Sequence, residues 1–559
     1  MSESRVLAAW RALWESCPHA TGFQSPAFVL AWYETYKSVY QPVVAWSMSE
    51  SGELLGLWLL SFHPARRELV HAGAHQAEYH VWLALPASGA VFLESAWARL
   101  QQELPFKTLR FKYLPAASLV DTLRAVAGME NRIAFRVRTR ALAKLDAAEI
   151  KASFAKKSNK SRFNRLKRLG ALEFRRLTGL EDFEQVFDDL VAFYDFRQGA
   201  VNRTTPFRDD PLKRMFCKTL FRTAPHETHL TVTFLGGRAI AAHWGTVSGT
   251  TTLHVGMTAY SPLLAEHSPG KLHIMQLSDY LLKDGMEVLD LTPGGDPWKE
   301  RFANSQDQVA EVLLYRSAFA RIRDDALERM LEGSKRRAAK VGVQPADIRR
   351  MVVTLRRARP SAVLRKVSRW AHEKCEVRVY RGNRDVATRV GHDARIAANS
   401  LADLLCFEPG ESWQSRDAFL SSALARLERG ESVYTICLDG RLAHYEWIAP
   451  RLTESFITEV QQRIALPAGS VALYDAYTHP DFRGRGLFRR ALRHTLREAF
   501  AIGTTQYAYI TAVADNLASR HLIESLGFEY QGSLYLKRRL GMESKWADPV
   551  FEKKEAPHA

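Results

Sequence analysis

The sequence predicts an α/β or α+β protein of several domains built on mixed sheets, and three observations carry the prediction. Strand-like and helix-like patterns alternate with turn signals along the chain. At 559 residues the chain exceeds what one hydrophobic core organises, and about 100–200 residues per domain implies three or four units. With 46% hydrophobic and 25% charged residues, and no long low-complexity tract, the composition is that of a packed globular protein.

Residues 1–140 form the first unit. They open on an amphipathic pattern (Val6, Leu7, Trp10, Leu13, Trp14), followed by a hairpin in which Val43 to Met48 and Leu54 to Phe62 flank a Ser-Glu-Ser-Gly-Glu turn. Residues 141–325 form the second, with a basic helix and then an amphipathic one around Phe183, Val186, Phe187, Leu190 and Phe193. A meander over 230–257 turns at Gly236-Gly237-Arg238 and Ser248-Gly249-Thr250. Beyond Ser268-Pro269-Gly270 come a helix (Leu272, Met275, Leu277, Tyr280, Leu281) and the strand Val288 to Leu291. Residues 326–374 read as a basic helical connector broken at Pro345 and Pro360, residues 375–545 as a last domain, and residues 546–559 as a loose tail. Leu235-x-Gly237-Arg238 with Trp244 recurs as Leu438-x-Gly440-Arg441 with Trp447 at the same separation, so two domains are expected to share one meander.

The net charge of +17 is concentrated in residues 151–176 and 335–374. Such stretches either attract anions (coenzyme or nucleotide-sugar phosphates, RNA, an anionic membrane) or form a solvated helix face and a linker. No nucleic-acid motif is present, and no DNA partner is expected. The apolar run Leu54 to Leu60 is far short of the ~20 residues of a membrane span, and the acidic start Met1-Ser2-Glu3-Ser4-Arg5 is unlike a secretion signal. Cys17, Cys217, Cys375, Cys406 and Cys437 lie far apart with no Cys-x-x-Cys pair. A disulfide framework and a zinc site are therefore not expected, and a reducing cytoplasmic compartment is. His243, His254 and His273 read as core or surface residues, and no metal is implied.

The strongest chemical signal is the stretch Val471 to Phe488, ending Asp475-Ala476-Tyr477-Thr478-His479-Pro480-Asp481-Phe482-Arg483-Gly484-Arg485-Gly486-Leu487-Phe488 and followed by a helix (Ala491, Leu492, Leu496, Phe500). It reads strand, glycine-bearing loop, helix. Free N–H groups at the positive end of a helix dipole hold a diphosphate without a committed side chain, glycines let it approach, and Arg483 and Arg485 add charge. After a strand over 507–513 comes Ala514-Asp515-Asn516-Leu517-Ala518-Ser519, continuing to Gly527-Phe528.

This pattern resembles the GNAT acetyltransferases, whose coenzyme loop has the form Arg/Gln-x-x-Gly-x-Gly/Ala. Arg483 and Gly486 match, and Phe488 stands where the family has Gly or Ala. Asn516, Ser519, Gly527 and Phe528 match the family's second element. The resemblance implies a C-terminal GNAT domain that binds acetyl-CoA, or another acyl-CoA, through Tyr477, Thr478, Arg483, Gly484, Arg485, Gly486, Leu487, Phe488, Asn516 and Ser519. Where relatives carry a proton-donating Tyr, this chain has Ile523, leaving water or Tyr474, Tyr477 or Tyr535 as donor, or a domain that binds coenzyme without fast transfer. Asp475 or His479, at the strand's end, is either the base or a local hydrogen-bonding residue, and in the family strand N–H groups are the oxyanion donors.

The middle segment, through Ala259-Tyr260-Ser261-Pro262, Ser268-Pro269-Gly270 and Gly285 to Lys299, resembles the cellulose-biosynthesis-type acetyltransferases. That family is FemAB-like, with two GNAT folds packed together, and the likeness covers roughly residues 20–320, with Glu78-Tyr79 standing near its Asp-Tyr. It implies acyl transfer in exopolysaccharide or cell-envelope synthesis. Asp290 at a strand end and Lys299 beyond a Gly-Gly turn are either catalytic groups or a pair that fixes a loop. The expectation is thus three GNAT-like folds, an N-terminal fused pair plus a C-terminal domain, moving an acyl group from acyl-CoA to a small-molecule or saccharide acceptor. Two alternatives stay open: a Fem-type transferase using aminoacyl-tRNA, and a non-catalytic CoA-binding regulator.

Overall fold

The structure is a computed structural model that describes residues 3–326, 372–387, 393, 395–411, 414–450, 452–539 and 542–548. Most of the expected connector (327–371) and of the expected tail (549–559) lies outside the described residues. The chain divides into two compact units: Met1–Asp195 with Thr205–Ser261 and His267–Arg337, and Ala338–Ala559 with Phe196–Thr204 and Pro262–Glu266. Among the described residues no helix is long and apolar enough to cross a membrane.

The first unit is a twelve-stranded sheet. Its strands are β1 (Gln41–Met48), β2 (Leu54–His63), β3 (Glu68–His71), β4 (Leu83–Ala84), β5 (Thr108–Leu114), β6 (Ile133–Lys144), β7 (Leu172–Leu177), β8 (Thr228–Leu235), β9 (Arg238–Ser248), β10 (Thr252–Tyr260), β11 (Val288–Pro293) and β12 (Ser305–Tyr315). Its helices are α1 (Glu3–Ser16), α2 (Pro26–Tyr36), α3 (Pro86–Glu103), α4 (Leu119–Ala125), α5 (Ala147–Ala155), α6 (Lys157–Leu169), α7 (Leu180–Asn202), α8 (Pro206–Asp209), α9 (Leu212–Thr223), α10 (Pro269–Lys283) and α11 (Pro297–Phe302). Side-chain caps start several of them: Ser25 accepts from Phe28 N at α2, and Asp146 from Glu149 N at α5.

The strand order is β1-β2-β3-β5-β12-β6-β11-β10-β9-β8-β7, with β4 on β2. Two of its pairs are parallel, β3 with β5 across α3 and β10 with β11 across α10, since parallel neighbours need a long crossover. The unit therefore repeats one plan twice. Its halves exchange strands: β6, which follows the first half in sequence, pairs with β11, while β12, the last strand, pairs with β5. Aromatic cores flank the sheet, Trp58, Trp97, Phe106 and Phe111 in the first half and Phe183, Phe187, Phe221 and Trp244 in the second. Burial of each contributes about 1.5–3 kcal/mol. Gly22 is required where the chain crosses β9, because a Cβ there would lie 2.2 Å from the Val247 carbonyl oxygen.

The second unit has β13 (His372–Gly382), β14 (Ala397–Ala398), β15 (Ser432–Leu438), β16 (Arg441–Ala449), β17 (Glu454–Ile457), β18 (Gln462–Ala465), β19 (Ser470–Thr478), β20 (Tyr507–Val513), β21 (Glu529–Arg539) and β22 (Met542–Ala547). Its helices are α12 (Arg384–Ala387), α13 (Leu401–Leu405), α14 (Arg416–Glu428), α15 (Leu487–Ala501) and α16 (Leu517–Ser525). The eight-stranded sheet runs β14-β15-β16-β19-β20-β13-β21-β22, with β17 and β18 forming a separate ribbon.

The sequence echo is a structural one. Leu235 pairs with Arg238 and Leu438 with Arg441, closing hairpins whose two loop residues all have positive φ: Gly236 (55°), Gly237 (78°), Asp439 (52°) and Gly440 (72°). Such loops match the right-handed twist of the flanking strands. Both first strands slip register just before the turn, at Thr233/Phe234 and Ile436/Cys437, and both tryptophans are buried.

Candidate functional site

In the second unit β19 and β20 run parallel only from Ser470↔Tyr507 to Leu473↔Ile510. Beyond that, Asp475 takes φ 50° and the β16–β19 register slips between Tyr445 and Trp447, so the end of β19 leaves its neighbour. His479 caps the 3-10 turn Pro480–Phe482, its Nδ1 accepting from Asp481 N at 3.3 Å, while Arg441 Nη2 lies 3.2 Å from its Nε2. His479 is buried, with both ring nitrogens beside these partners.

Gly484 (φ 77°) and Gly486 (φ 70°) then bring the chain into α15. A Cβ at either would meet nothing within 4 Å, the loop is exposed, and the Gly486 cap offers no side-chain acceptor to the first-turn N–H groups. The first turn holds no acid. The loop thus leaves uncapped amides at the positive end of a fifteen-residue helix, anchored by Leu487, Ala491, Leu492, Leu496 and Phe500 in the core. Arg483 Nη2 donates to Glu411 Oε1 at 2.8 Å and its Nε to Thr478 O at 3.3 Å, while the Arg485 guanidinium lies 5.2 Å from the Phe482 ring centre. Phe488, the departure from the family pattern, packs against the core, 5.9 Å from the His444 ring, and leaves the loop open. Thr478 Oγ1 is 2.8 Å from His444 Nδ1.

Asn516 caps α16, its side chain accepting from Ser519 N at 3.2 Å, so the structure joins these two predicted residues to each other. Ile523 is buried in the core. Of the alternative hydroxyls, Tyr474 donates to Glu431, Tyr535 stacks on Trp546 at 5.1 Å, and Tyr477 is buried beside Tyr445 at the end of β19. The sequence reading missed Tyr380, whose hydroxyl donates to Glu524 Oε1 at 2.8 Å and lies 3.3 Å from Arg520 Nε, one turn of α16 from Ile523. It also missed Glu446, buried under α15, which accepts from Thr495. No local signal reveals either, because the partners lie on helices distant in sequence, Arg520 and Glu524 on α16 and Thr495 on α15. Asp475 pairs with Arg426 Nη1 at 2.5 Å, and that guanidinium also lies over Trp447 and Tyr474. Burial raises the Asp475 carboxyl above its ordinary range, with the Arg426 charge opposing.

In the first unit, Asp290 lies at His254↔Asp290, the last parallel pair of β10 and β11. It is fully buried; Oδ2 accepts from Tyr79 Oη at 2.7 Å, His254 Nδ1 at 2.8 Å and Arg140 Nη1 at 3.4 Å, and Oδ1 from Thr292 N at 2.8 Å. Burial alone would raise its carboxyl; the His254, Arg140 and Tyr79 donors outweigh that and hold it below the ordinary range. His254 Nε2 is in turn 2.7 Å from Ser248 Oγ. Lys299, also buried, donates to Thr292 Oγ1 and Pro293 O, both at 3.1 Å. Burial lowers its pKa against the pull of Asp296, Glu78 and Asp290. Asp290 and Lys299 thus meet through Thr292, a residue with φ 62°, and the Tyr79–Asp290 bond joins the two halves.

Residues 153–300 match the family described as "Acetyltransferase (GNAT) domain", and residues 398–528 match the "Acetyltransferase (GNAT) family". Each unit of the chain thus carries a GNAT acetyltransferase domain, which makes the protein an acyltransferase. No curated protein matches it. Solved structures similar to it include FemX (12% identity, covering 54% of this chain and 95% of that one, TM-score 0.37). Others are L-PGS from Bacillus licheniformis (12%, 56% and 97%, TM-score 0.34) and a GCN5-related N-acetyltransferase from Kribbella flavida (14%, 52% and 94%, TM-score 0.26).

Proposed function

We propose that the chain transfers an acyl group, in the simplest case acetyl, from acyl-CoA to an amine or hydroxyl of a small molecule or sugar precursor, with the coenzyme held at Arg483–Phe488. The uncapped, glycine-lined start of α15, beside the point where β19 and β20 part, supports this reading. The bound coenzyme supplies an activated thioester carbonyl. The loop amides and Arg485 hold its diphosphate, and Arg483 turns from Glu411 to join them. Asp475, with its raised affinity for protons, takes the proton from the attacking group, and exposed amides at the end of β19 receive the developing oxyanion. Exopolysaccharide or envelope precursors are the acceptor class we favour, on the resemblance of the middle segment, and the free cysteines suit a cytoplasmic setting.

Incubation with labelled acetyl-CoA and a metabolite extract, followed by mass spectrometry, identifies the acceptor; a labelled product absent from the Asp475→Asn sample is expected. Failure to bind acetyl-CoA in calorimetry would remove the reading. Ile523 in the core favours a second one, in which the C-terminal domain binds coenzyme as a sensor. Tight binding with no labelled product in any extract would select it.

A further inference from the structure

The C-terminal loop gives no role to the buried acid of the first unit, and the partners of that acid lead outward to a hydroxyl. Ser248 ends β9 at the turn into β10, His254 is the third residue of β10, and Asp290 lies on β11. Ser248 Oγ is 2.7 Å from His254 Nε2, and His254 Nδ1 is 2.8 Å from Asp290 Oδ2. Hydroxyl, imidazole and carboxylate thus follow one another through the two nitrogens of one ring. The rings of Tyr79, at 5.0 Å, and Phe23, at 5.7 Å, pack on the imidazole, and both His254 and Asp290 are buried.

The direction of these hydrogen bonds follows from Asp290. Its carboxyl, held below the ordinary range by its donors, is ionised and can only accept, so the proton of a neutral His254 sits on Nδ1 and Nε2 keeps a lone pair. Ser248 therefore donates to Nε2, while its oxygen accepts from Gly22 N at 2.7 Å and keeps one further lone pair. The close approach to Val247 that requires glycine at residue 22 brings this amide to the serine. Ser248 itself is only half-buried. The next two residues, Gly249 and Thr250, are exposed, and a Cβ on Gly249 would meet nothing within 4 Å. The hydroxyl thus stands at the open edge of the network, with the imidazole and the carboxylate behind it and out of water.

We propose that Ser248, His254 and Asp290 form a second acyl-transfer centre, which takes an activated ester or thioester through a covalent acyl-serine. Ser248 Oγ attacks the acyl carbonyl carbon while its proton passes to His254 Nε2. The C–O or C–S bond to the leaving group then breaks, and the departing alcohol or thiol takes that proton. An acceptor amine, hydroxyl or water next attacks the acyl-serine and gives its own proton to Nε2, from which it returns to Ser248 Oγ as the ester bond breaks. Ser248 and His254 are catalytic residues; Asp290 is a positioning residue that holds the tautomer and balances the imidazolium. The centre uses no group of the Arg483–Phe488 loop.

The test treats the full chain with a fluorophosphonate, which traps activated serines irreversibly, and maps the adduct by peptide mass spectrometry. Label is expected on Ser248 and not on Ser51, an exposed serine between β1 and β2 that serves as the internal control. Thr250→Ala, which removes the neighbouring exposed hydroxyl, should keep the label. Ser248→Ala should lose it, together with the release of p-nitrophenolate from p-nitrophenyl acetate. Asp290→Asn should lower the kcat of that release about 10²–10⁴-fold at unchanged KM, a split that a merely structural loss would not give. Circular dichroism checks the fold of each variant, and the wild-type label decides the matter without them. Acetyl-CoA in place of p-nitrophenyl acetate separates a thioester from an oxygen ester as the better donor. If Ser248 carries no label, if Ser51 is labelled equally, or if ester cleavage survives Ser248→Ala unchanged, the proposal falls.

Discussion

Gly486→Val tests the coenzyme cradle most directly. Gly486 sits at φ 70° with open space around its missing Cβ, so valine meets no steric wall. It does have to occupy a left-handed conformation, which costs a β-branched residue about 1–2 kcal/mol. If the loop relaxes instead, the amides of the first turn swing out of line. Losing two charge-assisted hydrogen bonds of about 1.5–3 kcal/mol each predicts a fall in acetyl-CoA affinity of roughly 10²–10⁴-fold. Gly237→Val is the control, a substitution at φ 78° in equally open space in the other unit. Both variants should lose similar stability in urea melts. Only Gly486→Val should lose coenzyme affinity by calorimetry, and an affinity within threefold of wild type would refute the cradle.

Asp475→Asn should leave coenzyme affinity unchanged and cut turnover about 10²–10⁴-fold. Because the folded-state pKa of Asp475 is raised, wild-type turnover should climb with pH through that value, and an acidic limb that survives the substitution would clear Asp475 of the role. Asp290→Ala removes the buried acceptor shared by Tyr79, His254 and Arg140, of which Arg140 keeps its pair with Asp307, and two unsatisfied buried donors should cost about 2–6 kcal/mol of first-unit stability in urea melts; a loss below 1 kcal/mol would contradict the network. Buried His80, His243 and His273 have pKa values lowered to about 3 and His229 to about 2. Below about pH 6.5 the unfolded chain therefore binds protons that the folded one refuses, and each histidine removes about 1.4 kcal/mol per pH unit as pH falls. Urea midpoints of the first unit should drop steeply from pH 6.5 to 5 and stay flat from 7 to 8, and His243→Phe should shallow the drop.

Local patterns made much of this legible. The loop and α15 follow from glycines placed between an apolar strand and an amphipathic helix, and the paired hairpins from Gly-Arg turns with a tryptophan at fixed spacing. Long-range pairing left no such trace. β13 inserts between β20 and β21, about 130 residues later in the chain, and the Tyr79–Asp290 bond spans 211 residues. Strand-end and turn positions pointed to Asp290 and Lys299, and family resemblance to Tyr79, without the His254 and Arg140 that bind Asp290. The burial of His479 and its cap bond to Asp481 N likewise appear only in three dimensions.

The exchange of β6 and β12 has a practical corollary for anyone dissecting the protein. A cut near residue 140 passes through β6, so each fragment would lose a strand lying deep in the shared sheet and expose raw edges prone to aggregation. The twin halves are stitched like interlaced fingers: they should denature together, tolerate mutation as a single body, and resist separation into two working pieces.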